Sequence, residues 1–302
     1  MYPEGFEKIR TNFGVNFKNL LTGNDDLVNL YFYENFMVGT HFHDFFEINV
    51  IANGEGIHCI EDRRYEVKKG DIFVIPPYVN HNYSCKANLN VFHIVINRLF
   101  FDEFADQLEQ LPGYVTLFNI EPLIRIHAHE PYFLRLDEAD YDELYKILEQ
   151  LCNICGSNAA ERGIMKNAYM LYLIANLSFY YRKYYSLNDS KYKNNNYIQF
   201  MTSMEIIYQN YDQKITISTL ANSINMSRSA YLRLFQKILH CSPNQFIIKY
   251  RLSKSKSLLN QTDFSLTEIA QQTGFFDSSH FTRAFHHFEG VSPSQYRKSV
   301  HN

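Results

Sequence analysis

One cluster of potential metal ligands lies early in the chain. His41, His43 and Glu47 occupy odd-numbered positions in a segment rich in β-branched and aromatic residues. If that segment is one strand, the three side chains point to the same face, and His81 could join them from a neighbouring hairpin. Three imidazoles and a carboxylate form a complete ligand set for zinc, nickel, manganese or iron. The alternative is that these groups line a polar ligand pocket or are hydrogen-bonded locally.

A second set of polar residues lies near the end of the chain, in residues 265–297. Gly274 ends a short helix there, because glycine adopts the left-handed backbone of a tight turn without strain. The next helix has an apolar face at helical spacing, made of Phe281, Ala284, Phe285 and Phe288. Its opposite face carries Ser279, Thr282, Arg283 and His286. A helix–turn–helix with such donors on its outer face is suited to reading base edges in DNA.

The same unit occurs twice, at an offset of 50 residues. Arg233 recurs as Arg283, and a Ser-Pro helix start at Ser242 recurs at Ser292. The outer face of the second helix in the first copy carries Ser229, Leu232, Arg233 and Gln236. Two arginines at equivalent sites favour contacts with guanine, whereas one alone would more simply pair with an acid or a phosphate. Leu232 could contact only a thymine methyl group.

Composition limits the class of protein that can carry these groups. The chain has 302 residues and a net charge of −3, with globular proportions of apolar and charged residues. Residues 200–302 carry 11 basic and 6 acidic residues, so the basic charge is concentrated where DNA contact is expected. There is no apolar run of membrane-spanning length and no signal-peptide pattern at the start. Five cysteines without a disulfide spacing fit a reducing compartment, and we expect a cytoplasmic protein.

The periodicity of the sequence changes along the chain and indicates domain boundaries. Short strands from residue 28 to about 120 predict a β-sandwich or barrel, with a hairpin turn at 53–56. Helical spacing begins near Asp137, and the apolar helix at 161–185 needs either the sheet or a second subunit as its partner. The predicted organisation is a sheet domain, a helical region that could dimerise, a linker and an all-helical domain: 1–135, 136–186, 187–198 and 199–302.

The all-helical domain resembles the DNA-binding domain of AraC-type transcription regulators. The resemblance rests on a dense pattern that includes Gly274-Phe275, Phe281, Arg283, Phe285, Gly290, Ser292-Pro293 and Tyr296-Arg297. It implies a transcription factor, often a dimer, that binds promoter DNA and has a small-molecule sensing domain on the N-terminal side. By the same resemblance, the outer residues of the two second helices read the bases. Promoter DNA, RNA polymerase and a second copy of the chain are then the expected partners.

The N-terminal part resembles the cupin barrels of such regulators. The motif residues are His41, His43, Glu47 and Gly54, followed by Gly70, Pro76 and His81, although Tyr78 stands where cupins usually have glycine. The fold class expected is multidomain α+β, with a cupin-like barrel, a helical extension and a tandem helix–turn–helix domain. We expect a small polar effector, for example a sugar, near His41, His43, Glu47, His81 and His93.

Two alternatives to an effector-controlled regulator remain open at the level of the sequence. One is a metal-dependent cupin enzyme with an accessory DNA-binding domain, in which His41, His43, Glu47 and His81 would hold the metal. The other is a regulator without an effector, whose cupin only dimerises. Because the cupins of regulators commonly keep these residues without a metal, we expect no catalytic residue, no metal and no cofactor.

Overall fold

The computed structural model of the protein describes residues 27–127, 133–185 and 196–300. The chain divides into two compact units, Met1–Tyr192 and Lys193–Asn302. The predicted linker, 187–198, falls outside the described residues except for its last three positions, which belong to a helix. Among the helices described, none is both long and apolar enough to cross a membrane.

The first unit is built on a seven-stranded antiparallel sheet. Its strands are β1 (Val28–Tyr33), β2 (Val38–His41), β3 (Phe46–Ile60), β4 (Arg63–Lys68), β5 (Asp71–Ile75), β6 (His81–Ile96) and β7 (Leu134–Arg135). They pair in the order β1-β6-β3-β5-β7, with β2 added to β6 and β4 to β3. Alternate side chains of the long strands form one buried core. We call this side of the sheet the inner face; its core includes Ile51, Ile60, Phe73, Ile75 and Val91.

The hairpin turn predicted at residues 53–56 is wrong, because β3 continues through them to Ile60. The pairing of β3 with β6 is irregular between Ile51 and Gly56, as in a β-bulge. Gly54 has a φ of 79° there, and a Cβ at this position would lie 2.1 Å from the carbonyl oxygen of Asn88. The glycine therefore bends a long strand instead of ending it.

Helices begin earlier than the sequence predicted. Instead of strands up to about residue 120, the structure has α1 (Arg98–Glu103), α2 (Ala105–Glu109), a π-helical turn (Thr116–Ile120) and α3 (Glu121–His127). Asn97 starts α1 by accepting a hydrogen bond from the Leu99 N–H at 3.0 Å. Two long helices follow, α4 (Glu138–Cys155) and α5 (Arg162–Tyr184), and α4 confirms the helix that was predicted to start near Asp137.

The described part of the second unit is helical, as predicted. Its helices are α6 (Asn196–Gln209), α7 (Ile217–Ser223), α8 (Arg228–Leu239), α9 (Pro243–Gln261), α10 (Leu266–Gln272), α11 (Ser278–Glu289) and α12 (Pro293–Val300). Ser242 caps α9, the helix start that the Ser-Pro pair predicted, and it also exchanges hydrogen bonds with Gln245 in a capping box. Phe281, Phe285 and Ile269 lie in a buried core that holds α9, α10 and α11 together.

Candidate functional site

The second unit contains two helix–turn–helix elements of matching geometry, α7–α8 and α10–α11. The second helices, α8 and α11, are each 12 residues long and begin 50 positions apart. Ser227 caps α8 and Asp277 caps α11, each through a side-chain oxygen that accepts a backbone N–H. Both helices end at a left-handed residue, His240 and Gly290. The internal repeat predicted from the sequence is confirmed.

The two turns differ by one residue. Asn225 and Gly274 occupy the same place, as predicted, with φ values of 55° and 74°. The N–H of the residue after each bonds to the first helix, and both bonds measure 2.9 Å. The second turn then contains one additional residue, Phe276, before the cap of α11, and the side chain of Phe276 is 92% exposed. The matched turns hold both second helices with one face outward.

The outward faces carry the residues predicted to read DNA. Ser229, Arg233 and Gln236 on α8 are exposed, and Leu232 is half-buried. On α11, Ser279, Arg283 and His286 are exposed, and Thr282 is half-buried. The described residues offer neither Arg233 nor Arg283 an ion pair or a hydrogen bond. Their guanidinium groups therefore remain available to an external acceptor, and the alternative of a local acidic partner finds no support.

The basic residues of α9 differ in their environments. Arg251 donates hydrogen bonds to the backbone carbonyls of Tyr211 and Gln213, both at 2.7 Å. Lys256 forms an ion pair with Glu289 at 2.5 Å. These two side chains therefore stabilise the domain. Lys249 is exposed, so its charge is accessible to an external anion such as a DNA phosphate.

In the first unit, the five predicted effector-binding residues come together. His41 ends β2 and His81 begins β6; the two are paired across the strands, and their ring centroids lie 4.2 Å apart. Glu47 is in β3 and His93 in β6. The prediction that His41, His43 and Glu47 share one strand is wrong, because His43 lies in the loop between β2 and β3. A loop of four residues still returns the chain so that all three converge.

The Glu47 carboxylate is the centre of this cluster. His43 Nε2 and His93 Nε2 lie 3.1 and 2.6 Å from its Oε2, and His81 Nε2 lies 3.4 Å from its Oε1. Asn49 donates a hydrogen bond to Oε1 at 2.5 Å. Burial would raise the pKa of Glu47, but the positive charges of His93 and His81 hold it well below its ordinary value. The cluster therefore contains a buried carboxylate that keeps its negative charge.

The pKa values of two histidines near this carboxylate, His81 and His41, are shifted in opposite directions. Burial would lower the pKa of His81, but the charge and hydrogen bonding of Glu47 outweigh burial and raise it. Burial, followed by the charge of His81, lowers the pKa of His41 to about 4. His41 is therefore neutral near pH 7 and can accept or donate a hydrogen bond. Such a mixed set of donors and acceptors suits the hydroxyl groups of a polar ligand.

Sequence reasoning missed several polar residues of the inner face: Asn49, His58, Tyr83, Glu121 and Arg125. His58 is fully buried, stacks on Tyr83 at 3.9 Å, and has no hydrogen bond from either ring nitrogen to the described residues. Alternation along β3 could have indicated Asn49, which has the same parity as Glu47, but not His58, because the irregular pairing between Ile51 and Gly56 changes which positions face inward. Nothing in the sequence could have indicated Arg125, because it reaches the sheet from α3, which was not predicted.

The fit of a metal ion to this cluster can be judged from the donors. Ligand atoms of His41, Glu47 and His81 lie within 4.8 Å of one another. The Nε2 atoms of His43, His81 and His93, however, each lie within 3.4 Å of a carboxylate oxygen of Glu47. A metal requires neutral imidazoles, whereas Glu47 favours the protonated form of His81. The arrangement fits a hydrogen-bonded carboxylate in a ligand pocket better than a metal centre.

Two parts of the chain match known protein families. Residues 31–174 match the AraC-like ligand binding domain, and residues 220–299 match a helix-turn-helix domain. The Raffinose operon transcriptional regulatory protein RafR of Pediococcus pentosaceus is 26% identical over 87% of this chain and 88% of its own length. The Melibiose operon regulatory protein of Escherichia coli K12 is 24% identical over 87% and 84%.

One solved structure among the similar ones contains DNA. It is the DNA-binding domain of AdpA, a global transcriptional factor, in complex with a target DNA, with 26% identity, a TM-score of 0.32, and coverage of 32% of this chain and 88% of that one. The two matched domains follow each other in the order that the sequence predicted. The chain belongs to the AraC-type transcriptional regulators, with an AraC-like ligand-binding domain followed by a DNA-binding helix–turn–helix domain.

Proposed function

We propose that α8 and α11 are recognition helices that read two successive major-groove segments of a promoter. The observation that carries this proposal is the matched pair of exposed faces, each with an arginine at the equivalent position. Base contacts come from Ser229, Leu232, Arg233, Gln236, Ser279, Thr282, Arg283 and His286. The bound protein works in the cytoplasm and contacts RNA polymerase there as an activator.

Genome-wide mapping of bound DNA tests this reading mode. Wild-type sites should share a bipartite motif whose two elements are about 10 base pairs apart, one helical turn of DNA. A chain with Arg233→Ala and Arg283→Ala should lose enrichment at these sites. The matched control is Arg98→Ala, which removes an arginine whose side chain is 79% exposed in the first unit. A single short element in the wild-type motif would contradict the proposal.

We further propose that the inner face of the first unit binds a small polar effector without converting it. Support comes from the convergence of His41, His43, Glu47, His81 and His93, and from the two ring nitrogens of the buried His58 near them, which make no hydrogen bond to the described residues. The relatives named above regulate raffinose and melibiose operons, so a saccharide is the first class to test. Stoichiometric iron or manganese in the purified protein, with an open coordination position, would favour the enzyme alternative.

Dimerisation is proposed through α5. Its buried face includes Met170, Leu173 and Leu177. Its other face leaves Ile164, Tyr172 and Phe179 exposed by 79, 56 and 59%, at intervals of eight and seven residues. Such spacing keeps apolar side chains on one stripe of a helix, as in two-helix packing between subunits. An apolar stripe of this length on a regulator suits a second copy of the same helix.

A further inference from the structure

Within the described residues, a buried arginine on the inner face has fewer hydrogen-bond acceptors than donors. Arg125 is 1% exposed, and its guanidinium carbon lies 5.4 Å from the ring centroid of Phe73. One nitrogen, Nη2, donates to the carbonyl oxygen of Val74. Within the described residues, Nε and Nη1 have no hydrogen bond. A guanidinium has five N–H donors, and leaving charged donors unsatisfied in a buried position is costly.

Glu121 is the nearest acid, and it satisfies Arg125 poorly. Its Oε1 lies 3.4 Å from Arg125 Nε, and neither atom makes a hydrogen bond. Burial raises the pKa of Glu121 to about 7, against the attraction of Arg125. Near neutral pH the carboxyl group is therefore charged only part of the time. The guanidinium keeps an uncompensated positive charge that an external carboxylate could neutralise with paired hydrogen bonds.

The arginine is connected to the Glu47 cluster through a short series of aromatic contacts. The Phe73 ring that Arg125 covers is 4.6 Å from the ring of His58, centroid to centroid. His58 in turn lies 5.9 Å from His81, which contacts Glu47. The inner face thus has a guanidinium at one end, Arg125, and a histidine-surrounded carboxylate at the other, Glu47. Between them, His58 offers two ring nitrogens without hydrogen bonds to the described residues.

We infer that the effector of this regulator is a sugar acid, whose carboxylate binds Arg125 and whose hydroxyl groups bind His58, Glu47, Asn49 and the surrounding histidines. The inference rests on the proposed effector-binding function and narrows its chemical class. A neutral sugar could accept hydrogen bonds from the guanidinium but would leave its positive charge uncompensated. Glu121 would take up a proton when the ligand carboxylate approaches, so that the site does not accumulate negative charge.

The test compares acids with uncharged analogues of the same shape. Isothermal titration calorimetry on the full chain would use D-galacturonate and D-glucuronate, their methyl esters, and D-galactose and D-glucose. We expect at least one acid to bind, and to bind at least about tenfold more tightly than its ester, the ratio that one charge-assisted contact supplies. This comparison uses the wild-type protein and does not depend on whether a variant folds.

Two substitutions locate the effect. Arg125→Gln should remove the preference for the acid, and Glu121→Gln should strengthen binding of the acid because a competing carboxylate is lost. Arg98→Gln, which removes an exposed arginine, should change neither the affinity for the acid nor the preference for the acid over its ester. Equal binding of acid and ester, or binding of neither acid, overturns the inference. If a neutral sugar binds in that case, the proposed effector function still stands.

Discussion

Replacing Arg283 with alanine should separate sequence reading from general attraction to DNA. The side chain is exposed and makes no contact with an acid in the described part of the chain, so its removal should change the free energy of unfolding by less than about 0.5 kcal/mol. The loss should appear in the complex. A bidentate contact with guanine contributes roughly 1–3 kcal/mol of discrimination, which corresponds to about a 5- to 150-fold weaker Kd on a cognate site.

Arg233→Ala should give a loss of similar size, since α8 and α11 present equivalent faces. The two losses should add, because the arginines belong to separate helix–turn–helix elements. Arg283→Lys distinguishes the mode of contact: a lysine keeps the charge but loses the planar fork, so it should recover little of the specificity.

The assay is fluorescence anisotropy with a cognate duplex, selected with the wild-type protein, and a scrambled duplex of equal length. Both are titrated at several salt concentrations, with Arg98→Ala as the control. A phosphate contact would reduce the salt slope by about 0.9 and weaken both duplexes equally. Equal losses on both duplexes, with full recovery by lysine, would refute base reading by Arg283.

Three further predictions concern the turn, the pH dependence and the proposed dimer. Gly274→Ala should lower the unfolding free energy of the second unit by more than about 1 kcal/mol in urea titrations, because φ is 74° and the new Cβ would lie 2.7 Å from the Asp212 backbone; Asn225→Gly should not lower it. The stability of the wild-type first unit should fall more steeply than that of His41→Asn as pH drops from 6.5 to 4, because His41, with its pKa lowered to about 4, takes up its proton more readily when unfolded, whereas the opposite effect of Glu121, whose pKa is raised to about 7, is common to both proteins; equal pH slopes of the two urea midpoints would contradict this. Tyr172→Glu should shift sedimentation velocity towards the monomer without changing the circular dichroism, and an unchanged dimer would exclude the α5 stripe.

The sequence predicted the structure best at helix caps and tight turns, where few residue types fit the backbone. The repeat was visible because capping residues and turn residues must recur for the same helices to form, and Ser242, Asn225 and Gly274 do so. Even a departure was informative: Tyr78 stands where cupins have glycine, and it keeps the left-handed backbone with a φ of 64°. The backbone conformation at such positions restricts which residue types can occupy them, so these positions can be recognised in the sequence.

The inner face could be predicted only in part, because it is assembled from residues distant in the chain. The motif residues His41 and Glu47 lie six positions apart, and their convergence was expected. Arg125 comes from a helix more than 40 residues after β5, and its relation to Phe73 depends on how α3 packs. The glycine of a bulge and that of a hairpin also look alike in sequence, which is why Gly54 suggested the wrong structure.

The helix that joins the two helix–turn–helix elements has a genetic consequence. α9 has 19 residues, which corresponds to a rod about 28 Å long, and capping at Ser242 fixes where it begins. Each residue inserted into it would rotate everything beyond by about 100°. Binding to a promoter in the proposed mode should therefore tolerate base substitutions between the two elements of the motif, but it should not tolerate an insertion or deletion there. An insertion of one base pair between the two elements should not be suppressed by inserting one residue into α9. The residue rotates the second helix–turn–helix by about 100°, whereas the base pair rotates the second DNA element by a different angle.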